Sequence, residues 1–577
     1  MKSTSFYILL ILVFFSACQA DRKENLTLKI LATTDVHGAL FPYDLVNDRE
    51  AKSSLAQAYS YIAQERNKSD QHVLLLDNGD ILQGDPMVYY SNFEKTKQTH
   101  ICAEVMNFMG YDAGAVGNHD IEPGHEVYDR LVKEFAFPWM AANAVKTSDG
   151  KPYFQPYTII DKEGVKIAVI GFITPAIPKW LPEKIWSGMQ FEDLEISAKK
   201  WMAIIKEKEQ PDMVIGLFHS GMGEIGELKS DIRENAVWQV AKTIPGFDVI
   251  VCGHDHHEAI KWVENVDDQK VLIVNPKSKA QFLADVTVDF QLNADKKTYS
   301  KKIDPQLLDV KTLPVSNIFE THFQPAFDEV NDYVSRPVGR FTRSIKTSDA
   351  MFGDSPFVDL IHTIQLDLTG ADVSFTAPLS FNAQIDSGML QVRDLFKLYR
   401  FENLLYTMNL TGQEIKDYLE FSYDKWFRQM NKKGDPMLFI ESTKNRNRLS
   451  TMFFNYDSAE GVDYTLNLQA DKGNRITINK MTNGEAFDLK KTYKVALNSY
   501  RGNGGGGHLT EGAGLSKDEL SKRLINSTTK DLRFYLMKWI EEKKVVDVSC
   551  NNNWKVIPEN WWQQAKDREF ELLYGNN

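Results

Sequence analysis

Five times between residues 26 and 260, an apolar, β-branched or alternating run stops abruptly at a short cluster of Asp, Asn, His and Gly. Leu26 to Ala32 leads to Asp35-Val36-His37-Gly38, Val73 to Leu76 to Asp77-Asn78-Gly79-Asp80, and Tyr111 to Val116 to Gly117-Asn118-His119-Asp120. Met213 to Phe218 precedes His219-Ser220-Gly221, and Val249 to Cys252 precedes Gly253-His254-Asp255-His256-His257. Short apolar runs bounded by turn residues predict buried strands. Helical spacing over Ile101 to Met109 and Val127 to Phe135 separates them, which predicts layered α/β architecture. Strands facing the same way would deliver all five clusters to one sheet edge.

Further along, Ile318, Phe319, Phe323, Phe327, Val330 and Val334 have helical spacing, and Pro337 and Gly339 stop the pattern. Pro325 is expected to kink or restart this helix. The chain therefore divides into residues 26–314, a connecting helix over 315–337 and a second α/β domain over 338–577. Two cores also suit 577 residues, more than one hydrophobic core normally serves.

Composition narrows the partners. An apolar share of 43% with 25% charged residues is that of a globular soluble chain. The net charge of -12 repels polyanions and argues against duplex nucleic acid. Small anions remain suitable ligands, because a bound cation reverses the field locally. At the N-terminus, Lys2 and the apolar run Phe6 to Phe15 are too short to span a bilayer and predict a signal peptide over residues 1–20. Phe15-Ser16-Ala17-Cys18 is similar to a lipoprotein cleavage box, with Phe where Leu is usual. Export follows, either to the periplasm or to a membrane surface through a lipid on Cys18. Cys102, Cys252 and Cys550 are too scattered to form a disulfide framework.

Carboxylate, imidazole and amide oxygen together suit divalent metals such as Zn²⁺, Mn²⁺ or Fe²⁺. Asp-x-His at a strand end puts two ligands on one side, and His254 with His256 repeats that spacing. A carboxylate such as Asp80 suits a bridge between cations roughly 3.5–4 Å apart. One such motif is usually only a turn. Five in succession, each closing a strand-like run, point to a shared metal site.

These motifs resemble those of the calcineurin-like metallophosphoesterases, and the downstream half is similar to their exported nucleotidase branch. That branch includes bacterial 5′-nucleotidases with UDP-sugar hydrolase activity and 2′,3′-cyclic-nucleotide 2′-phosphodiesterase/3′-nucleotidases. The resemblance implies a four-layer αββα sandwich joined by a helix to a C-terminal α/β substrate-binding domain. It implies two divalent metal ions (Zn, Mn, Fe or Co), one on Asp35, His37, Asp80 and His256, the other on Asp80, Asn118, His219 and His254. His119 matches the catalytic histidine, and Glu122 stands where an acidic residue orients it. Asp77, Asp120, Asp255 and His257 carry no family role and are expected to support the ligands or face solvent.

In the second half, Leu398-Tyr399-Arg400-Phe401-Glu402-Asn403 and Val495-Ala496-Leu497-Asn498-Ser499-Tyr500-Arg501 resemble the nucleoside-binding pieces of that branch. The resemblance nominates Phe401 and Tyr500 to sandwich a nucleobase, with Asn403 beside them. Two features depart from the 5′-nucleotidase pattern. Phe381-Asn382-Ala383-Gln384-Ile385 replaces a Gly-Gly-x-Arg phosphate motif, and Gly506 stands near the place of a base-binding acid. Arg393, Arg400 and Arg501 are the arginines able to fill the gap from another direction. The pattern favours a 2′,3′-cyclic-nucleotide 2′-phosphodiesterase/3′-nucleotidase over a 5′-nucleotidase/UDP-sugar hydrolase. Another organic phosphate or a sulfur ester as substrate, and a non-catalytic exported nucleotide-binding protein, are the remaining alternatives.

Overall fold

A computed structural model describes residues 22–223, 232–295, 297–442 and 447–575. The predicted leader over residues 1–20, with Cys18, lies outside the described residues. Two six-stranded sheets face one another in the first half. The first is ordered Tyr299–Asp309, Phe282–Leu292, Asn25–Thr33, His72–Asp77, Ala113–Ala115, Trp139–Met140. The second is ordered Glu258–Glu264, Lys270–Pro276, Val249–Cys252, Met213–His219, Val165–Ile173, Tyr157–Lys162.

Alternation along each strand sorts its side chains into layers. Val165, Ile167 and Val169 join Leu28, Ile30, Val249 and Val251 between the sheets. Ala168, Ile170 and Phe172 instead face the helices Leu194–Lys208 and Val237–Thr243. On the opposite flank the helices Leu55–Arg66, Ile101–Met109 and His125–Glu134 cover the first sheet. The result is helix, sheet, sheet, helix. Each aliphatic side chain buried this way contributes about 1.5–3 kcal/mol.

Asn25–Thr33, His72–Asp77 and Ala113–Ala115 run parallel, as do Val165–Ile173, Met213–His219 and Val249–Cys252. Parallel pairing puts the C-terminal strand ends, and with them the polar clusters, on one edge. Two cross-sheet contacts close that edge. The Asn78 side chain donates to the Phe218 carbonyl at 2.9 Å, and the His254 N–H donates to the Asp35 carboxylate at 3.0 Å.

Asn317–Ser335 forms one continuous helix with Pro325 inside it, so the proline does not restart the helix. Proline cannot donate the usual backbone bond there. Burial of Phe319, Phe323, Val330 and Val334 in the first core compensates.

The second half is built on a five-stranded sheet ordered Ser458–Glu460, Val373–Thr376, Thr492–Asn498, Leu404–Thr411, Leu524–Asp531. Leu405 and Ala496 face the helices Pro356–Thr369 and Leu532–Lys543, whereas Tyr406, Val495 and Leu497 face Gly412–Trp426. The halves interlock at Tyr89, which is buried in the second core and donates to the Asp531 carboxylate at 3.2 Å. The Arg533 guanidinium lies 4.8 Å from the Tyr89 ring centre and 4.1 Å from that of Phe396. Such cation–π contacts are worth about 0.5–2 kcal/mol each. Cys102 and Cys252 are buried free thiols, and Cys550 is a half-buried one.

Candidate metal centre and substrate cleft

The strand-end loops hold their polar side chains in strained backbone. Asp35, His37, Asp80, His254 and His256 all have left-handed φ, between 49° and 71°. Asp and His tolerate that region better than most residues, yet each such residue costs on the order of 1–3 kcal/mol. The surrounding bonds enforce it. Asp120, buried, accepts the backbone N–H groups of Asp80, Ile81, Leu82 and Gly117 at 2.7–3.1 Å and so ties the Asp80 and Asn118 loops together. Gly117 and Gly253 leave no room for a side chain. A Cβ at Gly117 would sit 2.2 Å from Asp80 Oδ1, and one at Gly253 2.5 Å from Asp35 Oδ2.

Two groups of potential ligand atoms result, each lying within a 4.8 Å span. They are Asp35, His37 and His256, and Asp80, His219 and His254. In the first, His37 Nε2 and His256 Nε2 face each other at 3.1 Å, and His256 Nε2 lies 3.2 Å from Asp35 Oδ1. His37 Nδ1 donates to the Gln83 carbonyl at 3.1 Å, which leaves Nε2 with its lone pair. Burial pushes the His37 pKa down to about 3, so the ring stays neutral, as a ligand must be.

In the second group, His219 Nδ1 donates to the Asn78 carbonyl at 2.7 Å. This turns His219 Nε2 to within 3.0 Å of Asp80 Oδ2 and 3.2 Å of Asn118 Oδ1. Asp80 also accepts the His119 backbone N–H at 2.8 Å through Oδ1. Burial disfavours an ionised Asp80, but His219 and His119 outweigh it and hold the carboxyl well below its usual range. His254 Nε2 pairs with Glu234 at 2.9 Å, and its ring stacks on Trp180 at 5.6 Å.

His119 lies beside both groups. Its ring centre is 5.4 Å from that of His37, and Nδ1 is 2.9 Å from Glu122 Oε2. Burial opposes a charge on His119, but the Glu122 and Asp80 carboxylates raise its pKa to about 10. The supporting residues also have defined places. Asp77 accepts from Thr33 Oγ1 and Gly79 N–H, and Asp255 accepts from Met222 N–H and Asn275. His257 is 78% exposed and belongs to neither group.

Leu405 pairs with Asn498, so residues just before one strand meet residues just after the other. The Leu404 N–H donates to Ser499 Oγ at 3.1 Å, linking the Phe401 and Tyr500 segments. Both aromatics are half-buried, and no direct ring contact joins them among the described residues. Phe454 meets Phe401 edge-on at 5.8 Å, and the Arg501 guanidinium lies 5.2 Å from the Tyr500 ring centre. The Asn403 side-chain amide is 3.5 Å from the Tyr399 hydroxyl, and the Asn403 backbone carbonyl accepts the Leu532 N–H. Gly506 has φ 73°, and a Cβ there would lie 2.4 Å from Arg501 Nη1, so the position has no space for an acidic side chain.

Of the three candidate arginines, two are committed elsewhere. Arg501 pairs with Asp457 at 2.8 Å, both 1% exposed, and Arg393 pairs with Asp48 and donates to Ser335. Arg400 faces an open cavity of about 860 Å³ between the halves, whose wall includes His37, Ser380 and Asn382. Glu402, missed in the sequence, is 3% exposed. Burial pushes its pKa up to about 8, with Glu122 and Asp531 adding to the rise against Arg533. Glu234 and Trp180 were likewise not marked by any motif.

Residues 28–258 match the calcineurin-like phosphoesterase family, and residues 337–511 match the 5′-nucleotidase C-terminal domain. The chain joins a calcineurin-like phosphoesterase domain to a 5′-nucleotidase C-terminal domain. Calcineurin-like phosphoesterases use two divalent metal ions, and the two ligand groups above suit them in donor chemistry. The two domains together are those of a phosphoester hydrolase. The trifunctional nucleotide phosphoesterase protein YfkN of Bacillus subtilis is 28% identical across 92% of this chain, which spans 39% of that relative's length. A 2′,3′-cyclic-nucleotide 2′-phosphodiesterase/3′-nucleotidase of Haemophilus influenzae is 26% identical, with 93% of this chain and 89% of the relative covered. A Staphylococcus aureus protein described as a 5′-nucleotidase, crystallised with alpha-ketoglutarate, shares the fold. Its TM-score is 0.74 at 20% identity, over 92% of this chain and 99% of that one.

Proposed function

We propose that the protein is an exported two-metal hydrolase of nucleotide phosphate esters that prefers 2′,3′-cyclic and 3′-nucleotides to 5′-nucleotides. The observation that carries the reading is the pair of ligand groups, Asp35 with His37 and His256 and Asp80 with His219 and His254, with the His119–Glu122 pair beside Asp80. Asp35, His37, Asp80 and His256 would hold one ion, and Asp80, Asn118, His219 and His254 the other. When bound, the two cations supply Lewis acidity at the phosphoryl group. Glu122 fixes His119 through Nδ1 and leaves Nε2 to protonate the departing ester oxygen. Residues 26–314 do this chemistry, and residues 338–577, joined across 315–337, select the substrate. Export follows from the leader over residues 1–20, with periplasmic release or a lipid on Cys18 as its two outcomes.

The substrate preference rests on the arginine-free stretch Phe381–Ile385. A 5′-monoester dianion is best gripped by a bidentate arginine, whereas a cyclic diester carries one charge and suits neutral donors such as Asn382. The 3′-monoester, also a dianion, is included because the Haemophilus influenzae relative's name pairs the two activities. Assay of the metal-loaded protein on 5′-, 3′- and 2′,3′-cyclic nucleotides and UDP-glucose is expected to give the highest kcat/KM on the cyclic and 3′ substrates. A clear preference for AMP or UDP-glucose would overturn the preference, and absence of turnover on all of them would overturn the function.

Stacking a base on an aromatic side chain is worth about 1–3 kcal/mol. Phe401→Ala and Tyr500→Ala are therefore expected to raise KM for nucleotides roughly 5–150-fold while sparing p-nitrophenyl phosphate. Equal losses on both substrates would show that the two rings maintain the fold rather than hold a base.

A further inference from the structure

The cavity that Arg400 faces has charge left over. Lys277, Lys311 and Lys397 on its wall are each paired, with Glu258 at 2.9 Å, Asp309 at 2.7 Å and Asp394 at 3.0 Å. Lys52, Lys279 and Arg400 line the same cavity and have no carboxylate within ion-pair distance among the described residues. Two acids approach Lys279 without pairing with it. Asp85 accepts the Met87 N–H at 2.8 Å, and Asp44 accepts the Asn47 side chain at 2.7 Å. Lys279 and Arg400 thus lie on the same cavity wall, neither held by a carboxylate among the described residues. Glu50 and Asp85 are the acids on the same wall without an ion pair among the described residues, so three unpaired cations against two acids leave an excess of positive charge that suits an anion.

The position of Lys279 is fixed rather than fortuitous. Lys277, Lys279 and Ala280 all have left-handed φ, between 49° and 67°, a costly backbone for residues with side chains. The Lys279 N–H donates to the Asp35 carbonyl at 2.8 Å, so this strained turn is tied directly to the metal centre.

The cavity adjoins the reacting phosphate, since the proposed donor Asn382 and the proposed ligand His37 both reach its wall. Of the candidate ligands only His37 reaches the cavity wall, and neither His119 nor the Phe401–Tyr500 pair lines it. Arg400 and Phe401 are consecutive, yet only Arg400 reaches the cavity wall. We propose that Arg400 and Lys279, with Lys52 further out, form a subsite for a second phosphate group on the substrate, distinct from the phosphate at the metals. The favoured substrate class is then a nucleotide carrying two phosphates rather than one. This deepens the nucleotidase reading and rests on it.

The test compares adenosine 3′-monophosphate with adenosine 3′,5′-bisphosphate on the metal-loaded protein. A lost charge-assisted bond corresponds to about 10–150-fold in binding. Arg400→Gln and Lys279→Gln are each expected to raise KM for the bisphosphate by about that factor and KM for the monophosphate by less than about threefold. Arg400→Lys, which keeps the charge, is expected to recover most of the loss. An equal rise for both nucleotides would place Arg400 on the scissile phosphate, and no rise for either would leave it outside binding. Both results overturn the subsite. Competition by the same two nucleotides against p-nitrophenyl phosphate hydrolysis reports the subsite even if neither nucleotide is turned over. That arm separates failure of the subsite from failure of the nucleotidase reading.

Discussion

Asp80→Ala is expected to bring the protein's bound metal close to zero and to cost more activity than any other single substitution. Asp80 is 1% exposed, its Oδ2 lies 3.0 Å from His219 Nε2, and Oδ1 accepts the His119 N–H at 2.8 Å. Removing it strips a proposed ligand from both ions, leaves His219 buried without its carboxylate, and frees the loop that carries His119. The loss in kcat/KM is expected to exceed the roughly 10²–10⁴-fold that a lost acid–base group produces. His256→Ala is the informative contrast. That ring is 46% exposed and is proposed as a ligand of one ion only, so its loss is expected to weaken one ion and retain the other. Metal content by elemental analysis, measured beside turnover, separates the two. If Asp80→Ala still binds two equivalents and turns over normally, the bridging assignment is wrong.

The two-domain fold was legible because its signals are local. Leu26 to Ala32 and Val249 to Cys252 announce buried strands by their own composition, and the clusters that follow them mark where each strand ends. The clustering of candidate ligands was legible for a related reason, since Asp-x-His keeps Asp35 and His37 in one group, whereas His254 and His256 divide between the two groups. Long-range pairing was not readable. Arg393, Arg400 and Arg501 look equivalent in the sequence, and only the fold shows that Asp457 and Asp48 engage two of them. Tyr89 reads as one more helix residue, yet it is buried in the second domain's core. Glu402 follows Phe401 in a motif known for its aromatic, and its burial near Glu122 depends on how the halves meet. At Pro325 the helix continues without a restart for the converse reason: the local penalty is real, but burial of Phe319 and Phe323 on the same helix outweighs it.

His119→Ala is expected to separate chemistry from metal binding. The His119 ring is not a member of either ligand group, and its backbone N–H, which any residue retains, makes the bond to Asp80. The substitution should therefore leave metal content at the parent level. What disappears is the imidazole held by Glu122 at 2.9 Å, and with it the proton available to the leaving ester oxygen. A fall in kcat of roughly 10²–10⁴-fold follows from loss of a general acid. The nature of the leaving group sharpens the test. A ribose alkoxide needs a proton as it departs, whereas p-nitrophenolate leaves readily without one. His119→Ala should accordingly lose far more activity on a 3′-nucleotide than on p-nitrophenyl phosphate, and Glu122→Gln should show a milder form of the same bias. An equal loss on both substrates with metal content intact would make His119 a stabiliser of the phosphoryl oxygens rather than the acid. A parallel loss of metal would make it a ligand, against its place in the structure.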